Sequence, residues 1–241
     1  MLKRKVAILL VEPENPDNIG AAARSMKNMA LCDLRLVGPP ADWEIKARKL
    51  AVSALDILEN ARVFDSVKAA IQDAVLVVGT TRRIRRFNPN RIQFTEAVQK
   101  LKVMSRRKQV VIMFGKESKG LDNDSLDHCD LITSIPVSAD YPSMNLAQAV
   151  MVMTFALHYA LGDSTPAADR GVAGEFVQKK EMFEVLEVLR GALSILGYQE
   201  EPDVLDRIIH TFHGLMKRGG LLKREEQMLK GISRRIRERA K

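Results

Sequence analysis

Three short stretches combine small residues, a fixed charge and amide or hydroxyl side chains in a way that could hold a ligand and move a group on it. The first, Asn18-Ile19-Gly20-Ala21-Ala22-Ala23-Arg24, carries a glycine that permits close backbone approach at a helix start. An arginine about one turn beyond it presents a permanent cation to a phosphate or ribose. The second, Phe114-Gly115-Lys116-Glu117-Ser118-Lys119-Gly120-Leu121, is a glycine-flanked basic loop holding one carboxylate, Glu117. Leu121 stands where a P-loop needs its Lys-Ser/Thr pair, and no G-x-G-x-x-G occurs in the chain, so neither common nucleotide fingerprint is supported. The third, Tyr141-Pro142-Ser143-Met144-Asn145-Leu146, leads into an uncharged apolar run. Ser143 or Asn145 can cap that helix, and the free amides at its start can equally hold an adenosine or a carboxylate. Taken one at a time, a capped helix or a glycine turn explains each stretch as well as a ligand site does.

The elements that must position these stretches read as an α/β layered domain. Continuous apolar runs at 6–11, 34–37, 74–78, 110–114 and 131–135, with a shorter one at 62–64, predict about six strands, and the unbroken apolar character is that of a mostly parallel sheet buried on both faces. Helical patterns at 19–29, 44–59, 67–71 and 146–161 alternate with them. Each candidate stretch therefore follows a strand, where an open α/β sheet places its ligand crevice. The small, polar, Pro-containing segment after 162 marks a boundary. We expect one domain over 1–162, a linker over 163–174, and a helical, basic extension over 175–241. In that extension, apolar residues from Phe176 to Leu196 and from Val204 to Leu215 fall at helical spacing, and Gly219-Gly220 precede a last helix.

In this order, N-x-G-x-x-x-R, F-G-x-E-x-x-G-L and Y-x-S-x-N-L resemble the three motifs of the SpoU branch of the SPOUT methyltransferases, a likeness that covers Val6 to about Leu161. The resemblance implies an α/β fold with a C-terminal trefoil knot, a homodimer, and S-adenosylmethionine bound in the knot. It also implies site roles. Thr80, Thr81, Gly115, Ile135, Pro142, Ser143 and Met144 line the cofactor pocket, Arg24 and Asn18 face a target ribose, Glu117, Ser143 and Asn145 complete the catalytic set, and the helix 146–161 makes much of the dimer interface. Within that branch, the opening V-x-L-V-E-P, the G-T-x-R at 79–82 and the S-x-N-L-A-x-A-V at 143–150 are most similar to the TrmJ subgroup, whose members methylate the ribose at position 32 (C or U) of the tRNA anticodon loop. The chain departs from the subgroup at 208–215, where Ile208-Ile209-His210-Thr211-Phe212-His213-Gly214-Leu215 replaces an Arg-rich segment. Ribosomal RNA or another tRNA position, and a catalytically silent RNA-binding dimer, remain alternative readings.

Charge agrees with an RNA partner. Lys and Arg total 38 against 30 Asp and Glu, a net charge of +8, which favours a polyanion. The cations gather in the loop 80–91, with Arg82, Arg83, Arg85 and Arg86, and at 216–241, with Arg234 and Arg235. Both segments are expected to contact RNA phosphates. His210 and His213 lack a third candidate ligand, so no metal is expected. Cys32 and Cys129 have no CxxC spacing, no signal peptide is read at the start, and the uncharged run 141–162 is broken by polar residues. The expected setting is a reducing cytoplasm, away from membranes.

Overall fold

The structure is a computed structural model that describes residues 5–82, 90–162 and 174–240. It divides into two compact units, 1–167 and 168–241.

The first unit is built on six strands: β1 (Val6–Val11), β2 (Asp33–Val37), β3 (Arg62–Phe64), β4 (Leu76–Thr80), β5 (Val110–Phe114) and β6 (Leu131–Thr133). They form one sheet in the order β3-β2-β1-β5-β4-β6, and every pairing is parallel. The apolar runs become the core because both faces are covered: β1 and β5 are buried along their whole length. The chain winds outward from β1 to β3, then crosses to β4 and returns to place β5 between β1 and β4. That reversal aligns the carboxyl ends of the inner strands, with Leu10 opposite Phe114, Met113 opposite Gly79 and Thr80 opposite Thr133. It is a topological switch point, the place where such sheets bind ligands.

Helices α1 (Pro16–Asn28), α2 (Trp43–Ala51), α3 (Leu55–Glu59), α4 (Val67–Ala70), α5 (Phe94–Ser105), α6 (Asn123–Asp127) and α7 (Leu146–Gly162) connect the strands. α1 begins three residues earlier than its apolar pattern suggests, because Asn15 caps it through Asp17 N–H and Pro16 suits the first turn. Asn18 therefore lies inside the first turn. The expected helix over 44–59 is interrupted at Val52, which has φ +51°. β4 ends two residues later than expected, since Gly79 and Thr80 are sheet residues buried between β5 and β6. α5 was not anticipated, although Phe94, Ala97, Val98 and Leu101 have helical spacing.

Among the described residues, Arg35 is the one long charged side chain buried inside the sheet, at 1% exposure. It bonds Asp33 at 2.8 Å, Asp73 at 2.6 Å and the carbonyl of Ala70 at 2.5 Å. Burial pushes the Asp33 carboxyl up, but the hydrogen bonds and charges of Arg35 and Arg62 outweigh it and hold the group below its ordinary value of 3.8. A carboxyl lowered on folding stabilises the fold in full above its ordinary pKa, and that contribution is lost as the pH falls below it through the lowered value. Arg35→Met is expected to cost about 2 kcal/mol in urea unfolding at pH 7, below the usual buried-pair range because both carboxylates keep solvent contact. The variant should also show a flatter loss of stability below pH 3.8 than the parent; an unchanged acid limb would contradict this.

The second unit is helical: α8 (Lys179–Ile195), α9 (Pro202–Gly219) and α10 (Lys223–Arg239). Val177, Met182, Val185, Leu186, Met216 and Leu221 form its core, with Phe183, Ile209, Phe212 and Leu229 against it. Phe176 stands ahead of α8 and makes a short antiparallel bridge to Leu222. No helix of the described residues is long and apolar enough to cross a membrane.

Candidate active site

Beyond the carboxyl ends of β4, β5 and β6, three loops enclose a cavity of about 180 Å³. Thr80, Thr81, Gly115, Ile135, Pro142, Ser143 and Met144, all named from the sequence, line it. Lys116, Glu117, Ser118, Lys119, Val137 and Leu146 line it as well. The middle loop is a tight hairpin, closed by a bond from the N–H of Gly120 to the carbonyl of Lys116 at 2.7 Å. Gly115 is required there because a Cβ would fall 2.2 Å from the carbonyl carbon of Gly120 and from the nitrogen of Leu121. Gly120 turns the loop back at φ +67°, which favours glycine. Thr80 closes the floor by donating to the carbonyl of Met113 at 3.0 Å.

One hydrogen-bond network ties two of these loops, through Glu117 and Asn145, to the first loop, which follows β1. Oε1 of Glu117 accepts from Nδ2 of Asn18 at 2.7 Å and from the N–H of Asn15 at 3.3 Å, and Oε2 accepts from the N–H of Glu14 at 2.7 Å. Oδ1 of Asn18 accepts from Nδ2 of Asn145 at 2.9 Å. Oδ1 of Asn145 then accepts from the N–H groups of Ala147 and Gln148, at 2.9 and 3.3 Å. Asn145 thus caps α7 and also joins the network through Asn18. Both Glu117 oxygens are spent on donors of the first loop, so this carboxylate orients its neighbours. The network joins the N-terminal ends of α1 and α7, where the helix dipoles favour negative charge.

Arg24 is not brought into this cluster. It lies six residues, about 9 Å along the axis, beyond Asn18 on α1, is exposed, and has no hydrogen bond or ion pair with a described residue. Gly20 does permit a close approach, but to protein: a Cβ there would fall 2.0 Å from the carbonyl oxygen of Ala47, so it seats α1 against α2. Of the loop cations, Arg82 lines the cavity and Arg91 is bonded to Ser134 at 2.6 Å. Arg83, Arg85 and Arg86 lie outside the described residues. Sequence reasoning missed the two acidic residues of the first loop. Glu12 pairs with Lys116, whose pKa it raises by hydrogen bonding and charge. Glu14 accepts from Ser118, and those bonds hold its carboxyl below the ordinary carboxylate value.

In the helical unit, part of the basic charge is consumed internally. Lys223 pairs with Glu181 and Glu226, Lys230 with Glu184 and Glu226, and Arg237 donates to the carbonyl of Val188 at 3.3 Å. Arg224, Arg234, Arg235 and Arg239 are exposed on α10. The ring of His213 meets that of Phe183 edge-on at 6.2 Å, a packing role. Among the described residues no group of His, Cys, Asp and Glu is arranged to hold a metal ion.

The SpoU rRNA Methylase family matches residues 5–155 of the chain. An uncharacterized tRNA/rRNA methyltransferase of Haemophilus influenzae is 39% identical over 155 residues, which are 64% of this chain but only 63% of that relative's length. The tRNA (cytidine-2'-O-)-methyltransferase TrmJ of Methanocaldococcus jannaschii is 35% identical over 154 residues, 64% of this chain and 67% of that protein. Among solved structures, that of TrmJ from Z. mobilis ZM4 superposes with a TM-score of 0.80 at 30% identity and covers 96% of this chain and 98% of that one. The likeness in structure therefore reaches past the sequence match, into the helical unit.

Proposed function

Because the chain belongs to the SpoU methylase family, we propose that it transfers a methyl group from S-adenosylmethionine to a ribose 2'-hydroxyl of tRNA, with the anticodon-loop position 32 (C or U) as the target. The observation that carries this reading is the Glu117–Asn18–Asn145 network, which meets the cavity at Glu117 and joins its wall to the start of α1. The name of the Methanocaldococcus relative, a tRNA (cytidine-2'-O-)-methyltransferase, supports the tRNA assignment.

The residues present fit the cofactor. Ile135, Val137, Pro142, Met144 and Leu146 give an apolar wall suited to an adenine ring, with Gly115 on the same lining. Arg82 and Lys119 on the same lining suit a carboxylate. S-adenosylmethionine, when bound, supplies a methyl group on a positively charged sulfur. The chain's own work is to place the ribose oxygen in line with that carbon and to exclude competing geometries. Asn18 and Asn145, fixed by Glu117, set the ribose side, and Ser143 offers a hydroxyl between cavity and ribose. A guanidinium is a poor proton acceptor, so Arg24 serves by gripping a phosphate or stabilising alkoxide character. This chemistry requires no metal. Arg24→Ala is expected to lower kcat/KM roughly tenfold to a hundredfold, the cost of one charge-assisted bond, in steady-state methylation; an unchanged value would remove Arg24 from the site.

The same reading includes a cytoplasmic homodimer in which the chain after β6 is knotted. In its support, α7 carries no charged residue, leaves Phe155 and Tyr159 exposed with ring centroids 6.3 Å apart, and returns from the sheet edge to pack beside α1. Both cysteines are free, as a reducing compartment allows. Arg82, Arg83, Arg85 and Arg86, together with Arg234 and Arg235, would hold the tRNA backbone.

The test is transfer of labelled methyl from S-adenosylmethionine to total tRNA and to ribosomal RNA, with the product mapped to its nucleotide. Label at ribose 32 of tRNA supports the reading; label in ribosomal RNA alone replaces the target, and cofactor binding without transfer to any RNA makes the protein a silent RNA-binding dimer.

A further inference from the structure

The first and second loops are joined a second time, by residues to which the proposed reaction gives no part. The carboxylate of Glu14 accepts from the N–H of Ser118 at 2.9 Å and from its hydroxyl at 2.6 Å. In return, the carboxylate of Glu117 accepts from the N–H of Glu14 itself at 2.7 Å. Each loop thus gives a carboxylate to an amide of the other, a reciprocal clasp, and the Glu12–Lys116 pair adds a third link between the same loops. The partners stand 104 residues apart in sequence, and Glu14 is exposed. Ordering an exposed carboxylate in this way adds little to stability, whereas Ser118 is part of the cavity wall.

We infer that Glu14 is a positioning residue for the methyl transfer proposed above: by gripping Ser118 it fixes the 115–120 loop against the start of α1, so that Glu117 meets Asn18 at the cavity edge. The inference rests on that proposal. The hydrogen bonds from Ser118 hold the Glu14 carboxyl below its ordinary value of 4.5, so the clasp is closed at neutral pH and opens only as the pH falls through the lowered value.

Glu14→Ala, Glu14→Gln, Ser118→Ala and the Glu14→Ala/Ser118→Ala double variant, made in the full chain, are compared for kcat, for KM toward tRNA and for melting temperature. For Glu14→Ala we expect kcat to fall about tenfold or more through misplacement of the reacting groups, with KM for tRNA within about twofold and the melting temperature unchanged. Glu14→Gln should regain part of the loss, because its amide oxygen still accepts from the Ser118 N–H. Ser118→Ala should lose less than Glu14→Ala, and the double variant should be no worse than Glu14→Ala alone. A kcat for Glu14→Ala within twofold of the parent's overturns the inference. So does an equal loss in the Ala and Gln variants with a lowered melting temperature, which would make Glu14 a purely structural residue. Should Glu14→Ala fail to fold, Ser118→Ala decides by the same kcat criterion. A parent protein that methylates no RNA overturns instead the reaction on which the inference rests, an outcome visible before any variant is made.

Discussion

Glu117→Ala is expected to lower single-turnover methyl transfer by roughly 10²–10³-fold, the range seen when a preorganised polar group is removed from an active site. The size follows from what the carboxylate holds. Its loss leaves Nδ2 of Asn18 and the N–H groups of Glu14 and Asn15 without their acceptor at the start of α1. Asn18 is then free to turn, and the bond that orients Asn145 goes with it. Glu117→Gln should be nearly as harmful, since whichever way its amide is placed, an NH₂ must face one of these donors. Cofactor affinity should change much less than the rate, because most of the cavity wall comes from other residues. A glutamine variant with parental activity would show that Glu117 does not act as an acceptor.

Gly115→Ala is expected to abolish measurable cofactor binding in a titration with S-adenosylmethionine. The added carbon would sit 2.2 Å from backbone atoms of Gly120 and Leu121, and backbone cannot turn aside as a flexible side chain can. The hairpin must open, which moves Lys116, Glu117 and Ser118 away from their partners. Overpacking of this kind also costs about 1–3 kcal/mol of stability, so the variant should melt earlier yet remain folded, the loop lying at the surface. Parental affinity in that variant would mean that the cofactor is held elsewhere.

The sheet was legible in the sequence because strands buried on both faces are written as unbroken apolar runs, as at Val6–Val11 and Val110–Phe114. β4 was misread by two residues because Gly79 is a poor strand former, held in place between β5 and β6. α5 escaped because its apolar stripe is interleaved with Lys100, Lys102 and Gln99 after a basic loop. The cavity lining was legible only through the ordered motifs; composition and period say nothing of which loops meet. The role of Glu117 needed the structure, as did Glu14, whose partner Ser118 lies 104 residues away. Gly20 shows the converse, a residue read as leaving room for a ligand that leaves room for α2.

The most direct test of the central claim is the chemical position of the methyl group. Transfer RNA methylated by the protein with S-adenosylmethionine would be digested completely to nucleosides and analysed by mass spectrometry with fragmentation. The account predicts a nucleoside whose extra methyl stays with the ribose fragment, and its absence when Glu117→Ala replaces the parent. A methyl group on the base fragment would contradict it.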